Sequence, residues 1–292
     1  MEVVDFHAMG CPCRITVDVP AAAEAARAVV ERLELRYSRY QADSELSRIN
    51  RSAGTPEGCV VDAETAELLN FASAAHAQSG GRFDITSGVL RGVWDFRNGV
   101  VPDHDQVHAC LERVGWQRVR WEAPGLWLPR GMELDFGGFV KEYAADAAVA
   151  AARAAGGRHG LVDLGGDLAV IGPNPDGSPW RVGIRDPFAP DRAIATIDLA
   201  SGGLASSGNY ERCIRVGGRV YGHVLDPRTG WPPEDGYAGV SARADSCLLA
   251  GIATTVAMVG GETEGQAWLD ELGLPYVAVT RERRVIMGAP PA

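Results

Sequence analysis

The chain has 292 residues, 23% of them charged and 46% hydrophobic, and carries a formal charge of −10. A chain of this length can bury roughly three quarters of its unfolded surface, so it needs no metal or disulfide to hold a core. The acidic balance excludes nucleic acid as a partner, because non-specific binding runs on excess Lys and Arg, but it leaves room for a small anionic ligand in a local pocket. The 36 glycines exceed the usual share of about 7% and have no collagen period, which points to many tight turns and close backbone approaches.

In chain order, residues 3–6 and 14–19 alternate like strands and flank a turn at Met9-Gly10-Cys11-Pro12. Residues 21–40 predict a helix with an apolar face at Ala28, Val29, Val30, Leu33 and Leu35. Asp62 reads as the N-cap of a second helix that Gly80-Gly81 stops. Residues 111–121 are mixed and end in a strand, and 139–155 give the clearest helix, Ala-rich and closed by Gly156-Gly157. Short β-like runs follow at 160–164, 167–172, 180–184, 194–199, 213–216 and 219–225. A last long helix covers 248–259 with Gly260-Gly261 as its stop, a further helical turn or two covers 266–272, and 276–280 with 284–287 predict a terminal hairpin. Helices interspersed with antiparallel strands, without a repeat or a long linker, predict one α+β domain over residues 1–292.

No apolar run reaches the ~20 residues of a membrane span, and the N-terminus reads as the start of a strand rather than a leader. Together with six scattered cysteines, this predicts a cytoplasmic, reduced chain. The Cys11-Pro12-Cys13 pair has no second Cys/His pair at zinc-ligand spacing.

Four glycine-containing segments could carry chemistry. Gly137-Gly138 stands just before a helix that carries Lys141 in its first turns. Free N–H groups at a helix start and absent side chains let a phosphate come close, although a plain strand-to-helix turn with a surface lysine has the same pattern. Gly165-Gly166, flanked by Asp163 and Asp167, fits a bulge or hairpin turn. The run 206–212, Ser-Ser-Gly-Asn-Tyr-Glu-Arg, could ring a phosphate or a heterocycle edge, or be a polar loop. His223, followed by Asp226 and the turn Pro227-Arg228-Thr229-Gly230, could form an acid/base pair.

Taken in order, these segments resemble the ApbE family of FAD:protein FMN transferases over nearly the whole chain. Met9-Gly10-Cys11 is similar to the family's Met-Gly-Thr. Tyr37-Ser38-Arg39-Tyr40 and the run 44–50, Ser-Glu-Leu-Ser-Arg-Ile-Asn, resemble S-x-Y…S-E-L-S-R-x-N. The run 83–88 with Trp94-Asp95-Phe96 resembles F-D-x-T…W-x-F. The segment 135–146 resembles D-x-G-G-x-x-K-G-Y-x-x-D, with Glu142 where Gly is usual. The runs 207–212 and 223–230 resemble S-G-D-Y-E-R and H-I-I-D-P-R-T-G.

The resemblance implies a T-fold-like α+β domain that splits the pyrophosphate of FAD with Mg²⁺. It implies FMN transfer to a Ser or Thr hydroxyl of a target protein, with release of AMP. It implies His223 as the base, with Asp226 orienting it or serving the structure. Lys141 would sit near the pyrophosphate, Met9 and Tyr40 against flavin or adenine, and Asp84, Asp167 and Ser207 around the nucleotide. Gly137, Gly138, Gly208 and Thr229 complete the implied cofactor-binding set. The implied metal ligands are the Val140 carbonyl and Thr255. The family's A-D-A-L-A-T is here the run 250–255, Ala-Gly-Ile-Ala-Thr-Thr, so Gly251 stands at the ligand Asp. Glu142, Asp163 and Asp245 are the acids that could replace it. The alternatives are a flavin- or dinucleotide-binding protein without transfer activity, or a metal-independent group transferase on a small-molecule acceptor with another adenine cofactor.

Overall fold

A computed structural model of the chain describes residues 1–209 and 213–288. Tyr210, Glu211 and Arg212 of the motif 207–212 lie outside the described residues. In chain order the elements are β1 (Glu2–Ala8), β2 (Cys11–Val17), α1 (Pro20–Tyr37), α2 (Glu45–Arg51), β3 (Cys59–Val60), α3 (Ala63–Gln78), α4 (His104–Leu111), β4 (Arg120–Glu122) and β5 (Gly125–Trp127). Then come α5 (Val140–Ala154), β6 (Gly160–Leu164), β7 (Asp167–Gly172), β8 (Trp180–Asp186), β9 (Ala189–Leu199), β10 (Gly203–Gly208), β11 (Cys213–Val216), β12 (Arg219–Gly222), β13 (Gly239–Ala244), α6 (Cys247–Leu272), β14 (Tyr276–Val279) and β15 (Val285–Gly288). This is the expected α+β class. No helix among the described residues is long and apolar enough to cross a membrane.

The chain forms two compact units. Unit 1 comprises Met1–Leu35, Gly137–Tyr210 and Asp235–Ala292, and unit 2 comprises Arg36–Phe136 and Glu211–Glu234.

Unit 1 is built on an eight-stranded sheet in the order β1-β2-β6-β7-β10-β13-β14-β15, with every pairing antiparallel. Helices α5 and α6 pack on one face, against β6, β7, β10 and β13. On the other face Leu168, Val170, Leu204 and Val277 form a core with Ile184, Ile197 and Leu199 of the β8–β9 ribbon. β7 is therefore covered on both sides and buried at every residue, as a central strand should be.

Two strands depart from the sequence expectation. The run 206–212, open to a loop reading, enters β10, a central strand whose sequence is Gly-Leu-Ala-Ser-Ser-Gly. Small residues are required there because α6 lies close: a Cβ at Gly203 would stand 2.8 Å from Cys247 Cβ. β13 carries no expectation at all, being likewise rich in small and polar residues. The first turn is also tighter than expected. Ala8 pairs with Cys11, leaving only Met9-Gly10 as the loop, and Pro12 sits inside β2. The expected break in the last helix is real: Gly261 has φ 68° and ψ −166°.

Unit 2 contains α2–α4 and two small sheets, β3-β5-β4 and β11-β12. Its helix starts follow from their caps: Ser44 accepts from Ser47 N, Asp62 from Thr65 N, and Asp103 forms a capping box with Gln106. Residues 111–121 resolve into the end of α4, a 3-10 turn at Trp116–Arg118 and the start of β4.

Candidate functional site

The hairpin turn Met9-Gly10 and the hairpin turn Gly165-Gly166 lie at one end of the unit 1 sheet, because β2 pairs with β6 with Cys13 opposite Leu164. Gly165 and Gly166 have φ of 67° and 95°, the left-handed pair that a two-residue hairpin needs. A Cβ at Gly165 would also meet Cys11 Cβ at 2.8 Å. β10 runs antiparallel to β7, so its last residues, Ser206–Gly208, reach the same end. Met9 itself has φ 52°, a strained conformation for a non-glycine residue. Its N–H donates to Glu34 Oε1.

On the helix face at this end, Lys141 Nζ is 2.6 Å from Asp167 Oδ2, and Asp167 Oδ1 accepts from Ser206 N at 3.0 Å. Burial alone would lower the Lys141 pKa, but the charges of Asp167 and Glu142 more than reverse it, so the ammonium is firmly charged. Of its three donors, one is committed to Asp167. Ser207 Oγ lies 2.9 Å from Thr254 Oγ1 and 3.5 Å from Thr255 Oγ1. Thr254 in turn donates to the Gly251 carbonyl.

Glu142, in the first turn of α5, is only 9% exposed, and its Oε2 is buried without a hydrogen-bond partner. Burial first, then the Asp167 charge, pushes its carboxyl above the usual range, against the pull of Lys141. Its side chain lies against Gly251 of α6: a Cβ at 251 would be 2.7 Å from Glu142 Cγ and 3.2 Å from Oε1. The oxygen set here consists of a donorless carboxylate oxygen, hydroxyls and the helix-start carbonyl of Val140. It suits a hard cation that takes one or two carboxylates and completes its shell with water and phosphate. Among the described residues no group of three or more His, Cys, Asp or Glu forms a cage.

The structure thus brings Met9, Val140, Lys141, Asp167, Ser207, Gly208 and Thr255 to one end of one sheet. Gly137 and Gly138 are exposed just before α5, whose first residue follows a Phe139 that offers no side-chain cap. The start of α5 therefore turns the positive end of its helix dipole toward an anion. Cys11 of the Cys-Pro-Cys pair contacts Cys13 Sγ at 3.9 Å. That contact first, and then the Lys141 charge, draws its pKa down against burial.

The remaining sequence candidates belong to unit 2. Asp84 is buried, its Oδ1 accepting from Thr86 N and Oγ1 at 2.8 and 2.7 Å and its Oδ2 from Trp116 N at 2.9 Å. Tyr40 is 77% exposed beneath the Arg39 guanidinium, 5.0 Å from the ring centroid. His223 follows β12 and is half-buried. Both Asp226 oxygens accept from Arg228, which donates from Nε at 2.9 Å and from Nη2 at 2.7 Å. Thr229 Oγ1 accepts from Trp231 N, and the Gly230 carbonyl from Trp94 Nε1 at 2.9 Å.

Asp146, the last residue of the motif segment 135–146, proves to be a cap. It accepts from Cys247 N at Oδ1 and Leu248 N at Oδ2, both at 2.9 Å. This ties α5 to the first turn of the helix that carries Gly251 and Thr255.

Comparison with known proteins gives a match to the ApbE family over residues 9–278. The chain is 28% identical to an FAD:protein FMN transferase of Vibrio cholerae, an alignment covering 87% of this chain and 77% of that protein. The ApbE protein of Thermotoga maritima has a similar structure, with TM-score 0.91 and 29% identity over 98% of this chain and 96% of that one. The apo form of the flavinyl transferase ApbE of Pseudomonas stutzeri gives TM-score 0.87 and 29% identity over 98% and 94%.

Proposed function

The chain belongs to the ApbE family, and from that premise we propose that it transfers FMN from FAD to a target protein. The observation that supports this most is the convergence of Lys141, Asp167 and Ser207 beside the uncapped start of α5, in a chain whose relatives are named for this reaction.

FAD is the substrate. Its pyrophosphate is taken by the free donors of Lys141 and the N–H groups at the α5 start, where Gly137 and Gly138 let phosphate oxygens approach. Asp167 holds Lys141 in place and is itself held by Ser206 N. Met9 packs against an aromatic ring from its strained turn, and Tyr40 offers an exposed ring for the same use. Ser207 and Gly208 complete the nucleotide contacts, and Asp84 acts by fixing its own loop. The acceptor is a Ser or Thr hydroxyl. Its oxygen bonds to the flavin-side phosphorus, the pyrophosphate P–O bond breaks, and AMP leaves. The base is assigned by motif: His223 receives the hydroxyl proton, while Asp226 and Thr229 shape the turn that follows it. Val140 and Thr255 would hold a Mg²⁺, which when bound neutralises charge on the pyrophosphate. Six free thiols suit a reducing compartment such as the cytoplasm.

Intact-mass measurement of an acceptor protein after incubation with FAD and Mg²⁺ tests this reading. The expected result is a gain of one FMN, abolished by His223→Ala. Full transfer by that variant would remove His223 from the base role.

A further inference from the structure

Position 251, where the family pattern places a ligand carboxylate, is a glycine. We infer that Glu142 supplies that ligand in this chain, delivering its carboxylate from α5 to the α6 face that carries Gly251 and Thr255, for a hard divalent cation of the Mg²⁺ class. The use of the cation rests on the FMN-transfer reading, whereas the site itself rests on the geometry.

Three observations carry it. First, Glu142 is nine-tenths buried with a donorless Oε2. A carboxylate oxygen taken from water and given no partner costs several kcal/mol, and its nearest cation, Lys141, already pairs with Asp167. A bound divalent cation satisfies that oxygen and favours the ionised carboxylate that burial and Asp167 oppose. Second, the side chains at 142 and 251 exclude one another. With Glu142 Cγ 2.7 Å from a Cβ at 251, a side chain at 251 would displace that of Glu142, so the two positions compete for one space. Gly251 is therefore the complement of Glu142, and the acid has been moved from one helix to the other rather than lost. Third, the neighbours are oxygen donors. Thr255 stands one turn beyond Gly251 on the same face of α6, within 3.5 Å of Ser207 Oγ, and the Val140 carbonyl belongs to the same first turn as Glu142.

The other two acids fit less well. Asp163 lies opposite Leu168, whose side chain packs on the β8–β9 side of the sheet, and its Oδ1 accepts from Gly166 N at 2.8 Å. Asp245 is exposed ahead of α6.

The test is a Mn²⁺ titration of the full chain, followed by the electron paramagnetic resonance signal of the free ion, with and without saturating FAD. The wild type should bind one Mn²⁺. Glu142→Gln, close in size and shape, should weaken binding on the order of 100-fold, as expected when a ligand charge is removed. Gly251→Asp alone should also bind poorly, because its side chain collides with Glu142. The double variant Glu142→Gly, Gly251→Asp should restore binding to near the wild-type affinity. Unchanged Mn²⁺ affinity in Glu142→Gln, or no Mn²⁺ binding by the wild type with FAD present, overturns the inference. FMN transfer is scored separately by acceptor mass. Transfer with unchanged Mn²⁺ affinity in Glu142→Gln leaves the FMN-transfer reading standing and removes Glu142. Glu142-dependent Mn²⁺ binding without transfer does the reverse.

Discussion

Asp84 and Glu142 are both buried carboxylates, one in each unit, with 7% and 9% of their surface exposed, yet their surroundings differ. Asp84 is surrounded by donors from its own fold, two from Thr86 and one from Trp116. Glu142 has an oxygen with none. Asp226, bound at both oxygens by Arg228, and Asn50, bonded to both the N–H and the carbonyl of Leu134, belong with Asp84. A polar motif residue whose partners all come from the chain is explained by folding. One left wanting a partner, against the helix that carries a hydroxyl cluster, is explained by something the chain binds. This contrast separates two kinds of motif residue that look alike in a sequence.

The contrast can be broken most sharply at Asp84. Asp84→Ala removes the acceptor of three hydrogen bonds and strands Thr86 N and Trp116 N in a buried loop, which should cost about 3 kcal/mol of stability or more. Affinity for FAD should survive in the fraction that remains folded. Urea unfolding and a flavin titration on the same sample check both halves, and lost FAD affinity at unchanged stability would move Asp84 into the nucleotide site. A smaller effect is expected at Asp146. Asp146→Ala removes the acceptor for Cys247 N and Leu248 N while the Ser246 cap to Leu249 N remains, so about 1–2 kcal/mol should be lost. Thermal unfolding checks it, and a shift of less than about 1 °C would mean that α6 does not depend on this cap.

Much of this is legible in the sequence. Asp62 announced α3 because an Asp side chain at the N-cap satisfies Thr65 N. Gly165-Gly166 announced a turn because only glycine takes two successive positive φ angles cheaply. β10 and β13 were not legible. Their Gly, Ala and Ser residues have weak strand propensity, and what makes them strands is the close approach of α6, a tertiary demand. The motif residues Lys141, Asp167 and Ser207 could be found in the sequence, but their union at one sheet end follows from the order β2-β6-β7-β10, which no local pattern encodes. The same holds for Glu142 and Gly251. Each reads as a departure from a family pattern, and only the packing of α5 on α6 turns two departures into one exchange.

The central claim is that the end of the unit 1 sheet holds the FAD pyrophosphate. A calorimetric titration of FAD into the wild type and Lys141→Ala tests it most directly. The account predicts that the variant binds at least about tenfold more weakly, the loss expected from a charged hydrogen bond to phosphate. Equal affinity in the two proteins would contradict it.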